Sequence, residues 1–263
     1  MNELVGSAQP VVLPGTRTGR EPDRSIRRGP RSTTPEAVAA NQRDRLFDAL
    51  VRTVADKGYP HARVSDICRA AGVTRPVFYD VFAGKEDAFL AAYRHGTDLL
   101  LATMDTAFGR PTHWPSAVRD ALGAMLVLLA DAPRFAVAAI VEIDALGAAG
   151  RRERQRLVAR LHRFFTSAPA LPVGVPAEQV VTGVIGGAYS ALYREVDEGR
   201  AQRLPHLLPA MCYLVLAPFL GPRAAAEEAK KALSAPPVAL SCANPARRAE
   251  TGRTVNILPS QVG

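Results

Sequence analysis

Between about residue 36 and residue 222, nearly every stretch of the chain returns an apolar side chain at every third or fourth position. No run alternates apolar with β-branched or polar residues in the strand pattern. A period of 3.6 suits only a helix, whose apolar stripe must be buried against other helices. The expected class is therefore all-α. A first helix is announced by Thr34 as N-cap, Pro35 at its first position and Glu36 in its first turn; it carries Leu46, Phe47, Leu50, Val51 and Val54 on one face and stops at Gly58. A second uses Val64, Ile67, Cys68 and Ala71 and ends at Gly72, where a left-handed residue closes it. A third runs from about Arg75 to Phe82 behind Thr74 as cap, with Pro76 tolerated because it lies in the first turn. A fourth begins near Lys85 and reaches about Ala107.

Beyond Pro111 the spacing predicts further helices over about 115–130, 133–148, 152–167, 177–198 and 203–220, apolar enough to pack as a bundle. The flanks differ. Residues 1–35 are rich in Pro, Gly, Ser, Thr and Arg without apolar periodicity and are expected to be a disordered basic arm. Residues 223–263 are expected to hold one short helix, Ala224 to Leu233, and a second loose tail. The divisions are thus 1–35, a helical unit over 36–90, a second over 91–222, and 223–263.

The formal charge of +8 resembles that of a nucleic-acid binder, but each flank holds 6 Lys+Arg against 3 Asp+Glu, so most of the excess lies outside the helical part. Charge alone identifies no binding face. The longest apolar stretches, Ala121 to Ala130 and Ala210 to Leu220, fall short of the roughly 18 residues of a spanning helix, and no apolar signal core follows the first Met. With three cysteines, too few for a paired framework, the expectation is a reduced cytoplasmic protein without a membrane partner.

The most informative stretch is Ala62 to Phe89, ARVSDICRAAGVTRPVFYDVFAGKEDAF. A short helix, a tight turn containing Gly72 and a second short helix make a helix-turn-helix. Ile67, Cys68, Val73, Phe78 and Phe82 are expected to form its small core. The outward face of the third helix then offers Val77 and Val81, four apart, flanked by Arg75 and Tyr79, a ridge narrow enough for a major groove.

This stretch, with the helix before it and Gly58-Tyr59, resembles the amino-terminal DNA-binding domain of the TetR family of bacterial transcription regulators. The likeness covers roughly residues 40 to 93. It is carried by Asp66-Ile67, Ala70-Ala71-Gly72-Val73-Thr74, Phe78-Tyr79, Phe82 and Lys85-Glu86 at the family's spacings. The resemblance implies an amino-terminal three-helix helix-turn-helix domain followed by an α-helical ligand-binding and dimerisation bundle. It also implies a homodimer on double-stranded DNA at a pseudo-palindromic operator, and a ligand-responsive regulator, a repressor released by a small molecule whose identity is unknown. Thr74, Arg75 and Val77 fall where the family contacts the groove, and Tyr79 and Lys85 where it grips phosphate. Val81 departs from the polar or aromatic residue usual there, often His, and Arg63 from the usual capping Thr. Paired Val77 and Val81 point to thymine methyl groups, and Arg75 to guanine or phosphate. The arginines of the arm, Arg17, Arg20, Arg24, Arg27, Arg28 and Arg31, either follow phosphates or keep a tail soluble.

The second unit is read from its own residues. Trp114, Met125, Glu142, Phe164, Tyr189 and Tyr193 are the candidates to line a ligand pocket, with Phe135 beside them. Glu142 and Asp144 interrupt an apolar helix and need partners, either a ligand donor or an arginine of the Arg151 to Arg163 cluster. Gly183 and Gly187 share a face with Ala191, and helical glycine costs about 1 kcal/mol against alanine. Close approach of another backbone offsets that cost, either across a dimer interface or within one chain.

Two rival classes remain. An all-α enzyme finds no support: His61, His95, His113, His162 and His206 have no metal-ligand spacing, and neither a nucleophile elbow nor a phosphate loop is present. No metal and no cofactor is expected. A sequence-neutral DNA binder driven by the basic tails is the other alternative, separable by its specificity ratio.

Overall fold

The computed structural model describes residues 11–17 and 35–234, and among these there is no strand. Helices α1 (Pro35–Lys57), α2 (Val64–Ala71) and α3 (Arg75–Val81) form the first unit, and α4 (Lys85–Phe108) leads into the second. The second unit holds α5 (Trp114–Asp131), α6 (Pro133–Ala136), α7 (Ala148–Leu161), α8 (Ala177–Asp197) and α9 (Leu208–Ser234). The element boundaries of the first unit lie within a residue or two of expectation, because turn chemistry marks them. Thr34 and the basic arm from Arg20 to Arg31 lie outside the described residues, as does everything after Ser234.

Leu46, Leu50, Val51 and Val54 of α1 are buried together with Ile67, Cys68 and Ala71 of α2, Phe78 of α3, and Ala88, Phe89 and Ala92 of α4. Gly72 closes α2 in the left-handed conformation (φ 66), and Arg45 Nη2 of α1 donates to the Ala71 carbonyl at 2.5 Å. The helix end is thereby satisfied from α1, which fixes the crossing of the two. At the other end Arg63 makes no side-chain cap, and Thr74 before α3 holds the cap position without its hydroxyl bonding to the backbone. The cap expected at Thr74 is thus a position only.

Three departures matter for function. The helix expected over 133–148 is broken: α6 passes into a π-helical turn (Val137–Val141), then a 3₁₀ turn (Glu142–Leu146), and this segment bends 104° from α5. Apolar periodicity cannot reveal an extra residue in a turn. The disordered arm expected over 1–35 is corrected in part. Residues 11–17 form a turn docked on α1, with Leu13 only 1% exposed and the Gly15 N–H donated to Asp48 Oδ1 at 2.7 Å. The apolar Val11-Val12-Leu13 run before Pro14 was the available signal. Finally, the helix expected over 203–220 does not begin as an α-helix, while the break expected before the 224–233 helix is present as non-helical Gly221. A 3₁₀ turn (Ala201–Leu207) leads into α9, broken at Gly221 (φ 79) between Pro218 and Pro222.

Contrary to expectation, the stretch Ala201–Leu233 is long and apolar enough to cross a membrane by length and composition, with 28% of its most apolar window buried. The apolar character serves two faces: Met211, Cys212, Val215 and Leu216 pack into the bundle, while Tyr213 and Leu214 stand exposed.

Candidate nucleic-acid interface and ligand chamber

On α3, Phe78 is fully buried and the next residue, Tyr79, is 49% exposed, so one helix face is anchored and the other presented. Thr74 and Arg75 lie exposed beside it, Val77 is half-buried, and Val81 is half-buried against the core. The expected ridge is therefore present at Arg75, Val77 and Tyr79, and weaker at Val81. Arg75 has no partner among the described residues, leaving its guanidinium free for an external acceptor.

Lys85, expected to grip phosphate, has a partner within the chain. Its Nζ donates to the Tyr59 carbonyl at 2.7 Å and lies 4.2 Å from the centre of the Tyr59 ring, and partial burial lowers its pKa. Glu86 and Asp87 occupy the first turn of α4, where Asp87 Oδ2 accepts the Ala83 N–H at 3.0 Å. That helix start is thus already supplied with anions.

Tyr59 links the two units. Its backbone N–H donates to Glu142 Oε2 at 2.7 Å, and Glu142 begins the 3₁₀ turn after the π turn. Neither alternative expected for Glu142 holds, since its partner is a backbone amide of the first unit and it does not line the pocket. Asp144 does pair with an arginine of the expected cluster, Arg154.

The bundle encloses an apolar chamber of about 130 Å³ among α4, α5, the π turn, α7 and α8. Of the expected lining residues it includes Met125, Phe164 and Tyr189, and also Phe135, whose ring lies so near Gly96 that a Cβ there would stand 2.1 Å from it. Trp114 and Tyr193 are outside the lining. Trp114 is buried with Nε1 donated to the Phe164 carbonyl at 2.8 Å, and Tyr193 lies against Tyr189 with ring centres 6.5 Å apart. Both are packing residues, which helical spacing cannot distinguish from a pocket wall. Sequence reasoning missed Arg154 as a lining residue, along with Ala139 and Ile140 of the π turn. The Tyr189 hydroxyl donates to the Ile140 carbonyl at 2.7 Å, and Arg154 Nη1 donates to that hydroxyl at 3.5 Å. An open groove of about 490 Å³ adjoins, sharing Arg154, Val158 and Tyr189 with the chamber and adding His162, Glu178 and Thr182.

Gly187 approaches a second element within the same chain, a Cβ there standing 3.3 Å from Leu214 Cδ2, while Gly183 faces open space and Ala191 is half-buried. Burial raises the thiol pKa of Cys68 and pushes that of Cys212 up to about 12, so both behave as small core residues. No group of three or more His, Cys, Asp or Glu among the described residues is arranged to hold a metal ion.

A buried three-helix core presenting one helix face, joined to a hollow helical bundle, defines an all-α helix-turn-helix architecture. Residues 46–92, which hold the helix-turn-helix, match the family model described as bacterial regulatory proteins, tetR family. Its sequence is 32% identical over 95 residues to the HTH-type transcriptional regulator BetI of Brucella anthropi, covering 36% of this chain and 47% of that protein. The chain thus spans about half the length of the curated relative it matches. Similar solved structures extend further. The fatty acid degradation regulator FadR from Bacillus halodurans has a TM-score of 0.60 at 18% identity, covering 66% of this chain and 97% of that one. FadR from Bacillus subtilis in complex with stearoyl-CoA has 0.59 at 17%, covering 67% and 97%. A TetR-like transcriptional regulator from Rhodococcus sp. RHA1 has 0.52 at 19%, covering 72% and 99%. At these identities the structures establish the shared fold: a helix-turn-helix unit followed by an α-helical domain.

Proposed function

We propose that the protein is a ligand-responsive, DNA-binding transcription regulator of the bacterial cytoplasm, a homodimeric repressor released from a pseudo-palindromic operator by a small molecule. The observation that carries this reading is α3, where Phe78 is locked in the core and Arg75 and Tyr79 are presented on a ridge. Arg75 supplies a forked donor for guanine or phosphate, Val77 an apolar contact for a thymine methyl, and Tyr79 a hydroxyl for a phosphate oxygen. Thr74 lies at the same edge, and Val81 touches bases only if the helix sits deep. Lys85 has donors left beyond the one given to Tyr59 and reaches phosphate only by sharing or leaving that bond.

Dimerisation is assigned to α8 and α9. Exposed Tyr213 and Leu214 on α9 and open Gly183 on α8 form an apolar, low-relief face, suited to a second copy in a four-helix contact. Gly187 belongs to the packing of α8 on α9 within one chain. Two copies set two α3 helices at a fixed spacing, the geometry that a two-fold operator demands.

The chamber is assigned to the ligand, with Met125, Phe164 and Tyr189 in its wall. That a protein of this fold, Bacillus subtilis FadR, forms a complex with stearoyl-CoA supports a ligand with a large apolar part. The signal then passes through the hydrogen bonds Tyr189 to Ile140 and Tyr59 to Glu142, three residues of helix end separating chamber from helix-turn-helix unit. A ligand weakens operator binding only as far as it prefers the arrangement that binds DNA poorly.

The test is selection of duplexes from a random pool by the full chain, followed by competition against random duplex at about 0.15 M salt. Enrichment of a two-fold site and a large specificity ratio are expected. Equal binding to selected and random duplex overturns the reading in favour of tail-driven, sequence-neutral binding.

A further inference from the structure

We propose that the wall shared by chamber and groove is a head-group site, and that the ligand is an amphipath with its hydrocarbon tail in the chamber and an oxyanion, in the simplest case a carboxylate, on Arg154. This rests on the chamber being the ligand site. Arg154 is the one charged side chain among the described residues lining the chamber, and it also lines the adjoining groove. Its side chain is 28% exposed, so a molecule reaching in from the groove meets it before the apolar interior.

The guanidinium is only partly used. Nη1 serves both Asp144 and the Tyr189 hydroxyl, and the plane lies over the Tyr189 ring at 5.4 Å. Nε and Nη2, which carry the other three N–H donors, have no acceptor among the described residues. Those two atoms form the edge of the guanidinium fork that matches the two oxygens of a carboxylate or phosphate. Asp144 and Tyr189 hold the fork in place without covering that edge. Beside an apolar chamber the effective dielectric is low, so a charge-assisted pair made there is stronger than one in open water. Glu178, across the groove, repels an anion and confines it to the α7 side, next to Arg154. His162, paired with Thr182 Oγ1 at 3.4 Å, adds a polar border.

A tail alone has no preferred orientation in an apolar chamber. A head on Arg154 gives it one, with the tail running past Tyr189 toward Met125 and Phe135. The same head stands beside the hydroxyl that bonds the Ile140 carbonyl, at the start of the link to Glu142 and Tyr59.

The test compares three probes of one tail length, decanoate, decanol and decyltrimethylammonium, titrated into the full-length protein without DNA. Binding is read by calorimetry and by fluorescence of Trp114, the one tryptophan, which bonds the carbonyl of chamber residue Phe164. Decanoate is expected to bind about tenfold or more tighter than decanol, the scale of a charge-assisted hydrogen bond, and the cation not at all. Arg154→Gln should abolish the preference while decanol affinity stays the same; Arg154→Lys, with charge but no fork, should retain only part of it. Equal binding of decanoate and decanol, or a preference that survives Arg154→Gln, overturns the head-group site and leaves the chamber as ligand site. Absence of binding by all three overturns both. Should Arg154→Gln melt below the assay temperature, full retention of the preference by Arg154→Lys overturns the bidentate assignment.

Discussion

Glu142→Ala is the perturbation that most directly tests how the two units are coupled. The Glu142 carboxylate is the acceptor for the Tyr59 N–H at 2.7 Å, and Tyr59 in turn receives Lys85 from the start of α4 on its carbonyl. Truncation leaves a half-buried amide without its charged acceptor. Hydrogen bonds to charged groups contribute about 1.5–3 kcal/mol, and partial exposure argues for the lower part, about 2 kcal/mol. For a chain of this size that corresponds to a fall in Tm of roughly 4–8 °C. Glu142→Gln keeps an oxygen at the same place and loses only the charge, so its loss should be about half as large. Circular dichroism melts of the two variants measure this. With a duplex selected by the wild-type protein, and decanoate as ligand, operator affinity of Glu142→Ala should respond less to ligand than that of the wild type. An unchanged Tm, or Gln proving as harmful as Ala, refutes the argument, because the bond would then contribute nothing as an ionic acceptor. A full ligand response in Glu142→Ala refutes the transmission route alone.

Leu13→Ala should destabilise the protein by about 2–5 kcal/mol in denaturant melts, as for other fully buried leucines, although the residue belongs to no helix; a neutral outcome would mean that the 11–17 turn is not part of the core. Glu153 is buried, and its carboxyl is held below the usual range chiefly by the hydrogen bond from Arg94, with Arg156 adding its charge. A depressed folded pKa contributes stability that is present above the ordinary glutamate value of 4.5 and is lost as pH falls through the folded value. The Tm gap between wild type and Glu153→Gln should therefore be widest near neutrality and close below about pH 4.5, and a gap independent of pH would exclude the ion pair as its cause. Leu214→Glu, on the exposed face of α9, should convert the proposed dimer to monomer in sedimentation velocity and abolish operator binding at nanomolar protein; a stable dimer would move the interface elsewhere.

The helix-turn-helix unit was legible because its determinants are local. Gly58 and Gly72 end helices by their own backbone freedom, Pro76 marks a first turn, and Phe78 and Phe82, four apart, declare which face of α3 is buried. None of these needs knowledge of a distant residue. The same locality explains why Arg75 and Tyr79 were correctly placed outside. The intrachain partner of Lys85 was not legible because the Tyr59 carbonyl lies 26 positions away and leaves no trace in periodicity.

In the second unit, spacing and composition determined that helices exist, roughly where they break, and that their apolar stripes demand a bundle. Tertiary structure alone decided which apolar residues enclose space and which fill it: Met125 and Phe164 line the chamber while Trp114 is locked onto a carbonyl. It also decided that Glu142 reaches across 83 positions to Tyr59, that Arg154 turns a charged edge toward an apolar interior, and that Leu13 is core. The physical reason is common to all. Helix formation and termination are settled by neighbours within about four positions along the chain, whereas cavities and long-range hydrogen bonds depend on how finished helices cross, and crossing is set by side-chain packing that no single stretch contains.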